Sequence, residues 1–117
     1  MAFTMVEIMI VVAIIGLLGA IAIPNFVKAR EYSQLNAIIN NLRIIEGAKD
    51  VWALENKKGT GSKPEVSDIA PFLKGHIFPP ASVVGETYLI NRIGISATAK
   101  ISVRLGKYPA GEFVRLP

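Results

Sequence analysis

Hydrophobic positions fall into three regimes along this 117-residue chain. Residues 8–27, IMIVVAIIGLLGAIAIPNFV, carry no charge at all. A helix of that length spans roughly 30 Å, the thickness of a hydrocarbon core, so the run predicts a transmembrane helix. It is too long for the apolar region of a signal peptide, and an amphipathic pattern follows it directly. Leu35, Ile38, Ile39, Leu42, Ile45, Ala48, Val51 and Trp52 then recur at three- and four-residue spacing, which makes one apolar stripe. Glu31, Asn36, Asn40, Arg43, Glu46, Asp50 and Lys57 fall off it. No strong breaker stands between Asn25 and Asn56, so the pattern predicts one helix from Thr4 to about Asn56, roughly 75 Å long. So small a chain cannot bury such a helix along its whole length. Its front half must find lipid or other subunits.

The period changes to two after Gly85. Residues 86–91, 95–104 and 112–116 alternate or are β-branched, with turns expected at 91–94 and 106–111. The expected fold class is α+β: three antiparallel strands packed on the back half of the long helix. Ala97, Ala99, Ile101 and Val103 should face one side, and Ser96, Thr98, Lys100, Ser102 and Arg104 the other. Between helix and strands, residues 59–64 (GTGSKP) read as a flexible link. They lack the spacing of a phosphate-binding loop, and no strand precedes them. Residues 65–74 read as a short helix with Ser67 as N-cap, Gly75 as a stop and Pro71 tolerated only in a first turn. A loop from His76 to the Pro79-Pro80 pair follows.

Composition narrows the chemistry. The chain is 51% hydrophobic and 19% charged, below the roughly 25% charged of an ordinary soluble domain. With no Cys and one His, disulfides, thiolate metal sites and multi-histidine zinc sites are excluded. There is no catalytic constellation: no acid pair in an expected cleft and no Ser-His-Asp arrangement. The expectation is therefore not an enzyme, with no cofactor and no metal. The formal net charge of +4 matches the excess in the last quarter, where Arg92, Lys100, Arg104, Lys107 and Arg115 face only Glu112. That tail is the candidate basic surface. It reads first as a solvated sheet face, then as a docking face for acidic subunits, and then as a site for DNA, glycan or another acidic surface. No interleaving of aromatic and basic residues is visible in it. Tyr88, Tyr108 and Phe113 read as core or rim.

The apolar front has three features that a plain anchor does not need. Glu7 stands at its edge, where Thr4-x-x-Glu7 matches a capping box. An acid at this depth in a membrane also calls for a cation partner. Gly16 and Gly19 each cost up to about 1 kcal/mol of helix propensity relative to Ala. Pro24 lacks an N–H and crowds the carbonyl of Ala20. Residues 16–24 are thus a weak stretch, suited either to a kinked helix packed through small residues or to local unwinding.

Residues 3–30, FTMVEIMIVVAIIGLLGAIAIPNFVKAR, resemble the N-terminal segment of type IV pilins and type II secretion pseudopilins. The resemblance joins the aromatic, the Thr, a Glu four residues after the aromatic, the glycine-bearing apolar run and IPNFVKAR. It implies a pilin-like fold in three parts: a leader remnant at residues 1–2, a transmembrane and assembly helix at 3–30, and a globular head at 31–117. It implies cleavage of the Ala2–Phe3 bond by a prepilin peptidase, with methylation of the new Phe3 amine. Glu7 would then neutralise the Phe3 ammonium, of its own or a neighbouring subunit, during assembly. Two buried charges that are each costly alone are tolerable as a pair. Gly16 and Pro24 match the place where such helices melt inside filaments. Family leaders are usually longer, basic and end in Gly, and here only Met1-Ala2 precede Phe3. Lys28 and Arg30 taken alone would place the head in the cytoplasm. The family orientation is the reverse, and the expectation is that the natural leader is missing from this sequence. The calcium loop common in major pseudopilins and the paired C-terminal cysteines of many pilins are both lacking.

The implied function is a structural subunit, a homo-oligomer in a helical type IV filament. It would lie in the inner membrane before assembly by pilus or secretion machinery, and then in an extracellular pilus. A pseudopilin in a short periplasmic filament for protein export is the alternative. A third reading is a membrane-tethered module that binds nucleic acid or glycan through the basic sheet.

Overall fold

The computed structural model describes residues 2–78 and 82–117. Met1 and the Pro79-Pro80 pair of the expected loop lie outside the described residues. Helix α1 runs Met5–Glu55 with Pro24 inside it. Its C-terminus closes with a Schellman-type turn: Lys57 takes a left-handed φ of 53°, and the Lys58 N–H donates to the Ala53 carbonyl at 2.8 Å. A short helix α2, Val66–Ile69, follows, and then two 3-10 turns, Ala70–Phe72 and Lys74–His76. Strands β1 (Thr87–Leu89), β2 (Thr98–Lys100) and β3 (Phe113–Arg115) pair antiparallel in the order β1-β2-β3. A long helix with a small antiparallel sheet is the α+β, pilin-like architecture expected.

The chain divides into two units, one ending at Glu31 and the other Tyr32–Pro117. The second holds the core. Ile38, Leu42, Ile45, Ala48 and Trp52 supply it from α1, Ile69 and Leu73 from the segment after it, and Tyr88, Ala97, Ala99, Ile101, Leu105 and Val114 from the sheet region. On the helix stripe, Leu35 and Ile39 are only partly buried and Val51 is 42% exposed.

Several local expectations need correction. The strands are three residues each, shorter than the alternation suggests. β2 ends at Lys100, after which the Ile101 N–H donates to the Glu112 carbonyl and the Gly111 N–H to the Ile101 carbonyl. The chain bends at 102–103, which resets the alternation. Leu105 takes the inward place and Val103, expected inside, is exposed. Ser67 is not the cap of α2. Glu65 is, because Asp68 three residues on accepts the Glu65 N–H at 2.8 Å. The helix also stops at Ile69 rather than running to Lys74, and Pro71 sits in the first turn of the next 3-10 piece. Gly75 does adopt a helix-breaking φ of 73°. Residues 59–64 are no loose link: the Gly61 N–H donates to the Ile93 carbonyl, and the Ile93 N–H donates to the Ser62 carbonyl at 2.8 Å. Gly94, at φ 95°, lets that loop approach, since a Cβ there would lie 2.8 Å from Thr60 Cγ2.

Candidate functional site

The front unit is built around a capped helix start. The Thr4 N–H donates to Glu7 Oε2 at 2.8 Å, and the Glu7 N–H donates to Thr4 Oγ1 at 3.1 Å. Two free N–H groups of the first turn are thereby satisfied, and a negative charge stands at the positive end of the helix. Phe3, Ile8, Val11 and Val12 surround Glu7 in a depression of about 190 Å³ with almost wholly apolar walls. Phe3 is 81% exposed, and Ala2 precedes it outside any helix. The Phe3 nitrogen is here a peptide N–H, so the ammonium that the resemblance assigns to Glu7 arises only on cleavage. Gly16, Gly19 and Pro24 all lie within continuous helix, and added Cβ atoms at the two glycines would meet nothing. This helix is long and apolar enough to cross a membrane, and none of its most apolar stretch is buried within the chain. The surface it offers is a cylinder of aliphatic side chains with one acid at its rim. Such a surface is stable only against lipid or other apolar helices.

The head is held by two buried polar clusters. Lys49 is 1% exposed. Its Nζ donates to Glu46 Oε1 at 2.9 Å, to the Arg92 carbonyl at 3.2 Å and to the Ile95 carbonyl at 2.7 Å. Glu46 Oε1 also accepts the Ala97 N–H. One ion pair on α1 thus fastens the loop before β2. In the second cluster Glu86 accepts the N–H groups of Val83 and Val84 and the Tyr88 hydroxyl, while Asn41 Nδ2 donates to the Tyr88 oxygen at 2.8 Å. Burial pushes the Glu86 carboxyl up, but the Tyr88 hydroxyl and the backbone N–H donors of Val84, Val83 and Glu86 itself outweigh it and hold the acid below its ordinary range. Burial, then the Glu86 carboxylate, raise the Tyr88 hydroxyl.

The five basic tail residues do not form one patch by strand geometry. Lys100 and Arg115 share the outward face of the sheet. Arg92, Arg104 and Lys107 lie on connections outside the strands. Register pairs Lys100 with Phe113, and Lys100 Nζ lies 5.9 Å from the centre of that ring. Lys107 Nζ lies 5.4 Å from the Tyr108 ring. The first pair joins neighbouring strands, and the second joins neighbours along the chain. Tyr88 is buried in the core, Tyr108 is partly buried against it, and Phe113 is 38% exposed. Among the described residues, no three His, Cys, Asp or Glu side chains are grouped to hold a metal.

Similarity to known proteins falls on the N-terminal half. Over 56 residues, 48% of this chain, it is 34% identical to the type II secretion system core protein G of Klebsiella pneumoniae, covering 40% of that protein. Over 56 residues it is 51% identical to the type IV major pilin protein PilA of Myxococcus xanthus, covering 26% of it. Over 57 residues it is 40% identical to the type IV major fimbrial protein FimA of Dichelobacter nodosus, covering 36% of it. The chain thus matches between a quarter and two fifths of the length of these relatives. No family model and no solved structure matches. The homologues support the pilin and pseudopilin superfamily for this N-terminal segment.

Proposed function

We propose that this chain is a pilin, a structural subunit that polymerises through residues 3–30 into a type IV pilus or a filament of that kind. The observation that carries the reading is the helix of α1 whose apolar stretch is unburied in the chain, in the same half that resembles pilins and core protein G. Assembly would bury that surface in a bundle of identical helices and leave the heads outside. Identity over the matched segment is higher to the two pilins, at 51% and 40%, than to the Klebsiella core protein at 34%, which favours a pilus over a short pseudopilus. The pseudopilin alternative keeps the same subunit logic in a periplasmic filament that exports proteins. In either case prepilin peptidase would cut at Ala2–Phe3 and the subunit would wait in the inner membrane. The Phe3 ammonium would pair with Glu7, and the weak stretch around Gly16 and Pro24 would yield as helices pack.

Electron cryomicroscopy of filaments sheared from the native cell tests this. Long filaments built of this chain, with Phe3 as first residue, are the expected result. Their absence, with export of secreted proteins lost on deletion, would move the reading to the pseudopilin. Glu7→Ala should insert into the membrane normally and lower filament yield at least tenfold. An unchanged yield removes the pairing role.

A further inference from the structure

We propose that the outward face of the three-stranded sheet binds a single strand of nucleic acid. The register places six side chains on that face in two rows, Leu89, Thr98 and Arg115 in one and Thr87, Lys100 and Phe113 in the other, and all but the buried Thr98 are exposed. None of the six is acidic. Val114, Ala99 and Tyr88 point the other way and are buried. Two features set this face apart from a merely solvated one.

The first is unpaired charge. Among the described residues the side chains of Lys100 and Arg115 make no hydrogen bond or ion pair, and the only contact recorded for either is the Phe113 ring under Lys100. They stand diagonally on neighbouring strands, about 7–8 Å apart at the backbone, which lets two flexible cations reach successive phosphates. The second is an exposed aromatic platform. Phe113 is a large apolar ring left 38% open beside two cations, and a shallow depression of about 450 Å³ adjoins it, lined in part by Leu89, Ile95, Thr98 and Arg115. A phosphate chain alone needs the cations and has no use for the ring. An acidic protein needs neither a flat ring nor a depression beside it. A strand with an unstacked base uses all three, because stacking on an aromatic side chain and backbone neutralisation by cations act together. The proposal does not rest on the filament reading, since a subunit that never polymerised would present the same face.

The test uses the full chain in a neutral detergent and a fluorescently labelled 15-residue oligo-dT, with anisotropy read at several salt concentrations. Binding should weaken as salt rises. The Lys100→Ala/Arg115→Ala double variant should weaken it and flatten the salt slope by about 1.4, the share of two phosphate contacts. Phe113→Ala should weaken binding about tenfold with the slope unchanged, and Phe113→Trp should restore it. Circular dichroism of each variant separates loss of binding from loss of fold, and the Phe113→Trp rescue reads the ring even if Phe113→Ala fails to fold. Lys28→Ala/Arg30→Ala removes as many cations outside the sheet and should leave binding unchanged. No binding of the oligonucleotide at low salt overturns the proposal. So does an equal effect of the Lys28/Arg30 change. Equal or tighter binding of a heparin fragment, indifferent to Phe113, would assign the face to acidic polysaccharide instead.

Discussion

The two units of the chain solve opposite problems with the same backbone element. In the front unit the apolar side chains of α1 are exposed all round, from Met5 to Val27. In the head, α1 buries one face, the apolar stripe of Ile38, Leu42, Ile45, Ala48 and Trp52 together with Lys49, and the sheet region closes over it. A helix that is apolar all round has no inside of its own, and its stability in place comes from whatever surrounds it. A helix apolar on one stripe carries half of a core and needs the rest from its own chain. The front unit is therefore a surface awaiting an environment, and the head is a folded domain.

Substitutions should separate the two, with head unfolding followed by the fluorescence of Trp52, the single tryptophan. The largest effect is expected from Lys49→Met. It takes the cation from Glu46, which keeps the Ala97 N–H, and a donor from the carbonyls of Arg92 and Ile95, and should cost the head about 3–5 kcal/mol. Lys28→Met in the front unit should cost the head nothing. Next comes Leu42→Ala, at about 2–5 kcal/mol through the cavity it opens. Its counterpart Leu17→Ala should leave head unfolding untouched in detergent. A head destabilised by Leu17→Ala would break the comparison, because the two units would then share a core.

Tyr88→Phe should cost about 1–3 kcal/mol, since Glu86 loses a donor and Asn41 an acceptor. It also has a pH signature. The folded-state pKa of Glu86 lies below its ordinary 4.5, so its contribution is present above that value and is lost as pH falls through the folded one. Removing the Tyr88 donor raises the folded pKa, so acid unfolding should begin at a higher pH than in the parent. Coincident acid-unfolding curves would show that the hydroxyl does not hold the carboxylate. The smallest effect is expected from Thr4→Ala, about 0.5–2 kcal/mol of local helix stability at the capping box. It should show as faster amide exchange in the first turn, with Trp52 unchanged.

The same contrast explains what the sequence made legible. The front helix, its cap and the change from period 3.6 to period 2 are local patterns, and the structure has them where they were expected. Most features missed are those made by pairing distant residues, while the cap and early stop of α2 are local exceptions. Lys49 stands between Ala48 and Asp50, and the partners that satisfy its ammonium include the carbonyls of residues 92 and 95, more than forty positions away. The alternation through residues 95–104 looked like one long strand, but pairing with β1 and β3 stops at Lys100. Phe113 reads as core or rim from the sequence, and it is register that sets it outward opposite Lys100. For Lys49 a signal was present: it lies four residues after Ile45 and three before Trp52, on the buried side of the stripe.

Both margins of the sheet, β1 and β3, are strands of three residues. A free strand edge is a template on which another chain can grow a sheet, and natural proteins blunt it by keeping edge strands short. Three residues leave too few outward hydrogen-bonding groups to hold a foreign strand. Many copies of this head can therefore crowd against one another without their sheets fusing.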